Sequence, residues 1–228
     1  MKPVMNKNIA IGDNSMHGTT SITGGSNIAM GRCSLDALTS GNCNIALGAF
    51  AMSAATTGAL NIALGQFALG CATLTGSGNI GIGEQAGADL DSGACNIAIG
   101  YAALPNSTDG CDNIAIGQSA LAASDGDADE NIAIGRLAMG QSDVSGAQNI
   151  AIGTFSADAL TSGGYNIAMG VNALGAATIG VRNIAIGEAA MSGVTTGQAD
   201  DNIAIGRGAL IGTAGTTGNQ NIAQAAQL

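Results

Sequence analysis

The chain has 228 residues, with 37 glycines, two prolines, 2% aromatic and 10% charged residues, no tryptophan and a formal net charge of −10. With 46% apolar residues and so little charge it has the reverse of a disordered composition, and it lacks the proline and the three-residue glycine period of collagen. Nine acidic residues lie between Glu84 and Glu130, and no Lys or Arg lies between Arg32 and Arg136. Such a field disfavours nucleic acid and anionic membrane as partners and keeps a repetitive chain soluble.

Residues 1–7 read as a short lead-in or attachment segment with no apolar signal-peptide core, so export through a visible secretory signal is not expected. From residue 8 one motif governs the chain. Asn-Ile-Ala-Ile-Gly, clear at Asn96–Gly100 and Asn113–Gly117, places its Asn at 8, 27, 44, 61, 79, 96, 113, 131, 149, 166, 183, 202 and 221. The gaps of 17–19 residues define stacked supersecondary units over residues 8–220 rather than a globular core. Gly, Asn, Ser and Thr interrupt every apolar run well short of about 18 residues, so no membrane insertion is expected.

Counting from the Asn as position 0, position 1 is always Ile and position 2 is Ala in every copy except Gly81. Position 3 is Ile, Leu or Met and position 4 is Gly in the first twelve copies. This period-two pattern predicts a short strand with positions 1 and 3 on one face and position 2 on the other. Position 7 is Ala or Ser, and position 8 is Leu or Met in ten copies, with Gly87 and Ala157 the exceptions. A polar stretch follows, often with a second glycine at position 14, and it absorbs the changes in repeat length. The glycines leave no room for a helix of useful length. The expected unit is therefore strand, turn, short second strand and return loop.

These units predict an all-β fold, a parallel β-solenoid (β-roll) of about 13 coils of 17–19 residues each, with Ile stacked on Ile and an asparagine ladder at position 0. The Asn is expected to tolerate a left-handed turn, and the closing Gly to avoid a Cβ clash. The aliphatic pair claims an interior. The uniformly small position 2 means that something approaches closely along the whole chain, the coil's own interior or another chain. With the aliphatic pair claiming an interior, one of the two faces is expected to pack against another chain. Three parallel solenoids around a threefold axis, a homotrimer, close such a strip most simply. Residues 221–228 carry Gln224 at position 3 and read as a polar capping coil.

Asn44–Gly48 followed by Ala51-Met52 and Thr56-Thr57-Gly58 resembles the repeats of bacteriophage tail-fibre and virion appendage proteins. It is also similar to the head repeats of trimeric autotransporter adhesins. The resemblance implies a left-handed parallel β-roll assembled as a trimer. It points to a phage virion fibre, spike or decoration protein that contributes to host attachment, assembled in the host cytoplasm and extracellular after release. Its implied partners are its own copies, other virion proteins and a host surface glycan or protein. A bacterial surface adhesin segment is the alternative.

No residue set points to catalysis or to a cofactor. His17, the single histidine, has neither base nor orienter in the pattern, although left-handed β-helix acyltransferases use an interface histidine. Their six-residue period is not kept here. An ice-binding solenoid would need a flat Thr face, whereas the threonines lie in the length-variable stretch. Asp125, Asp127, Asp129 and Glu130 could hold Ca²⁺ only weakly, because Arg136 stands where an EF-hand needs its bidentate Glu. Phe50 and Phe67, both at position 6 of consecutive coils, are expected to stack, and burial is favoured over an exposed carbohydrate contact. Cys33, Cys43, Cys71, Cys95 and Cys111 are an odd number without metal-site spacing and are expected as free, buried thiols.

Overall fold

Every copy of the motif folds as a three-residue strand. The computed structural model describes residues 7–18, 22–124, 128–193, 199–211 and 220–224, in two units, Met1–Cys111 and Asp112–Leu228. The first unit carries β1 (Ile9–Ile11), β2 (Ile28–Met30), β3 (Ile45–Leu47), β4 (Ile62–Leu64), β5 (Ile80–Ile82) and β6 (Ile97–Ile99). The second carries β7 (Ile114–Ile116), β8 (Ile132–Ile134), β9 (Ile150–Ile152), β10 (Ile167–Met169), β11 (Ile184–Ile186), β12 (Ile203–Ile205) and β13 (Ile222–Gln224). Within each unit consecutive strands pair in parallel with position 1 on position 1, as in Ile45↔Ile62 and Ile132↔Ile150. The fold is an all-β parallel β-solenoid. Among the described residues no helix is long and apolar enough to cross a membrane.

The two faces of the strand are reversed from the expectation. The alanines at position 2, such as Ala46, Ala98 and Ala133, are completely buried, while the flanking aliphatics stay half-buried or exposed. The interior is built from the small residue at position 2, the Ala or Ser at position 7, the Leu or Met at position 8 and a further column containing Leu38, Leu74, Leu90, Val144 and Leu160. The coil is narrow. Each large side chain that crosses it fills the space opposite position 2, so only Ala or Gly fits there. A Cβ added to Gly81 would come within 2.9 Å of Leu69 Cγ. The uniform smallness of position 2 is explained inside the chain, so that alanine is not evidence for another chain.

The predicted second strand is a pair of turns. The Ala51 amide donates back to the Gly48 carbonyl at 3.3 Å, and Phe50 and Met52 are left-handed with φ of +59° and +50°. Positions 6 and 8 repeat this left-handed conformation along the chain and rotate the backbone through the corner in place of extending it. The closing glycine is required on two counts. Gly83 has a φ of +124°, and a Cβ there would lie 2.7 Å from the Gly100 carbonyl oxygen of the next coil.

The asparagine ladder forms as expected, with one change. Asn44 receives nothing from solvent: its backbone and side-chain amides donate to Asn27 Oδ1 at 2.8 and 3.1 Å, and its Nδ2 also donates to the Gly58 carbonyl at 2.8 Å. Its own Oδ1 accepts the Asn61 amide at 2.9 Å. From the second copy on, the left-handed residue is the one before the Asn, such as Cys43, Cys95 or Tyr165, and not the Asn itself. The carbonyl that caps Nδ2 always belongs to the residue three before the next Asn, whether the coil is short (Gly58, Gly93) or long (Ala128, Ala199). The second glycine is therefore set by the following repeat, and length varies upstream of it.

Candidate functional site

Positions 0 and 2 point inward, so positions −1, 1, 3 and 5 form four outward rows on the strand side of each unit. Rows 1 and 3 hold 25 aliphatic residues and Gln224. Ile9, Ile11, Met30, Ile82, Met169, Ile186 and Ile205 are among the exposed large apolar residues. Within each unit these rows leave an apolar strip in contact with water.

The two edge rows are mostly polar, with Leu60, Tyr101, Tyr165 and Val171 among them, and carry ladders of their own. At position −1, Arg182 pairs with Asp201 through two hydrogen bonds, from Nε to Oδ1 and from Nη2 to Oδ2. Hydrogen bonding to Arg182 lowers the Asp201 carboxyl below its usual range. Gln148 donates to Glu130 in the same row. Beyond position 5, at position 6, the Phe50 and Phe67 rings stack with centroids 4.9 Å apart and 2° between planes. The Arg32 guanidinium covers Phe50 at 4.4 Å, and Arg136 lies 4.6 Å from the Phe155 centroid. The phenylalanines are half-buried on the outside of their coils rather than in the core. One face of Phe50 is covered by Arg32 and the other by Phe67, so Phe50 offers no free ring face to a sugar.

His17 is exposed just after the first turn. Asp125 and Asp127 lie outside the described residues. Asp129 is half-buried and Glu130 exposed, the latter engaged by Gln148. Among the described residues no group of three or more His, Cys, Asp or Glu side chains gathers as metal ligands. The five cysteines are free, but they are exposed or half-exposed rather than buried. Row −1 faces outward, so Cys43 and Cys95 follow it. Of the threonines, Thr39 Oγ1 donates to the Thr56 carbonyl at 3.0 Å and Thr161 Oγ1 to the Thr178 carbonyl at 2.7 Å, so these hydroxyl protons serve coil-to-coil bonding.

Among the described residues two buried polar atoms lack a partner, Ser107 Oγ and Asp158 Oδ1. Asp158 is 8% exposed, and Gln141 donates to its other oxygen. Burial raises its carboxyl above the usual range, partly offset by hydrogen bonds from its own backbone, Gln141 and Ala159. Sequence reasoning passed over Asp158 because one carboxylate in a variable turn carries no pattern. It also took the aliphatic rows for an interior, since alternation shows that two faces differ and not which one is inside. No protein-family model, curated protein or solved structure matches the chain.

Proposed function

We propose that this chain is a non-enzymatic structural segment of a bacteriophage fibre, spike or decoration protein, assembled as a homotrimer and contributing to host attachment. The observation that carries the self-assembly is the outward double row of Ile, Leu and Met at positions 1 and 3. Leaving such a row in water forgoes about 25 cal/mol for each Å² that an interface would cover. Three copies turning that face to a common axis bury it, and the mostly polar −1 and 5 rows become the rim. The virion assignment rests on the resemblance of the repeats to phage appendage proteins. A structural role is supported by where the polar side chains point. The buried asparagines bond to one another and to backbone, and leave no converging donors for a substrate.

On this reading the other virion proteins are its fixed neighbours, and a host surface glycan or protein is met by the variable turns. Multi-angle light scattering should give three times the chain mass, and a monomeric mass would overturn the self-assembly. Immunogold electron microscopy should label phage particles. Labelling of a bacterial envelope in uninfected cells would instead select the adhesin alternative.

A further inference from the structure

The charges on the two edges of the strand face follow a rule, coil by coil. Five of the six basic residues lie on an edge: Lys7 and Arg182 at position −1, and Arg32, Arg136 and Arg207 at position 5. Wherever both edges of one coil are charged, the charges are opposite: Lys7 with Asp13, Glu130 with Arg136, Arg182 with Glu188, and Asp201 with Arg207. Apolar matches apolar at Tyr165 and Val171, which are 63% and 51% exposed. Yet no salt bridge joins the members of any of the four charged pairs within the chain, because the two aliphatic rows separate them.

We infer that the partner of the strand face is a second copy of this chain, parallel and in coil-for-coil register, with the −1 edge of one protomer against the 5 edge of the next. The inference rests on the self-assembly proposed above and specifies its geometry. Rotation about an axis along the stacking direction keeps each coil at its own level and brings a −1 edge to a 5 edge. An antiparallel pair would set like edge against like edge at reversed levels, and the sign rule would be lost.

The edges also supply what the aliphatic rows cannot. An Ile ladder repeated in every coil fits equally well after a slip of one coil, so it leaves the register open. In register, Arg182 meets Glu188 and Asp201 meets Arg207, and with the Arg182–Asp201 bond along the edge they form a chain of alternating sign. A one-coil slip in one direction sets Arg182 against Arg207, and in the other it sets Asp201 against Glu188. Both are like-charge contacts. Rim charges of this kind fix orientation and register more than they add affinity.

A zero-length carbodiimide cross-link tests this. R136K and R207K keep the charge and place a primary amine on the 5 edge. In the double variant, denaturing gels should show covalent dimers and trimers. Mass spectrometry of those bands should find amides joining position 136 to Glu130 and position 207 to Asp201; amides within one chain do not shift the band. If light scattering gives an oligomer but the inter-chain amides are absent, the register is wrong while the self-assembly stands. A monomeric mass overturns both.

Discussion

At the residue scale the polar groups inside the coils dominate. Asn79 accepts the backbone and side-chain amides of Asn96 at 2.9 and 3.1 Å and donates to the Gly93 carbonyl at 2.8 Å, all in a fully buried site. Asn79→Ala leaves those groups without partners at about 1–3 kcal/mol each. The expected loss is about 3 kcal/mol or more, read as a lower urea midpoint. Asp158 works in the opposite sense. Burial raises its folded pKa, so the folded state holds the proton more tightly than the unfolded chain, whose ordinary value is 3.8. Stability therefore falls as pH rises from the unfolded value through the raised folded one, and the penalty is fully present above that. Asp158→Asn keeps an acceptor for Gln141 and removes the charge. It should raise Tm at pH 7, with the gain over wild type fading as the pH approaches the unfolded value.

At the scale of one coil, the exceptions to the repeat explain each other. The coil beginning at Asn79 has Gly81 where the others have Ala, and Gly87 where most have Leu or Met. The Leu69 side chain of the preceding coil occupies the space both would fill: a Cβ at Gly87 would lie 2.6 Å from Leu69 Cδ2, and one at Gly81 2.9 Å from Leu69 Cγ. Gly81→Ala and Gly87→Leu should each destabilise by overpacking, about 1–3 kcal/mol. Combined, they should cost less than the sum, because either one alone forces Leu69 aside and the shift is made once. Thermal melts of the two single variants and the double variant check this. The period, the strand at positions 1–3, the Asn ladder, the closing glycine and the Phe50–Phe67 stack were all legible, since each is a spacing or a residue type with one physical use. The second strand was not, because non-glycine residues such as Phe50 and Met52 in left-handed φ leave no trace in composition. Nor was the side of the strand that faces inward. Ile looks more like core than Ala does, and only the width of the coil, set by Leu69 and its equivalents, decides otherwise.

At the scale of the whole molecule, the proposed self-assembly implies that the aliphatic rows separate folding from assembly. Leu121 is fully buried in its coil, so Leu121→Ala should cost about 2–5 kcal/mol in any state of association. Ile132 and Ile150 stack on each other on the outward side of β8 and β9 and are only half-buried in the chain. A lysine there can extend its stem along the apolar row and keep its ammonium in water as long as nothing covers the face. A covering protomer would trap that ammonium, at a cost several times any gain from the remaining contacts. The Ile132→Lys, Ile150→Lys double variant should therefore retain the circular dichroism of the wild type while its light-scattering mass falls to that of one chain. An unchanged mass would move the assembly surface elsewhere. Loss of the β signal would mean that the outward rows hold the coils together themselves, and that the solenoid folds only as its assembly forms.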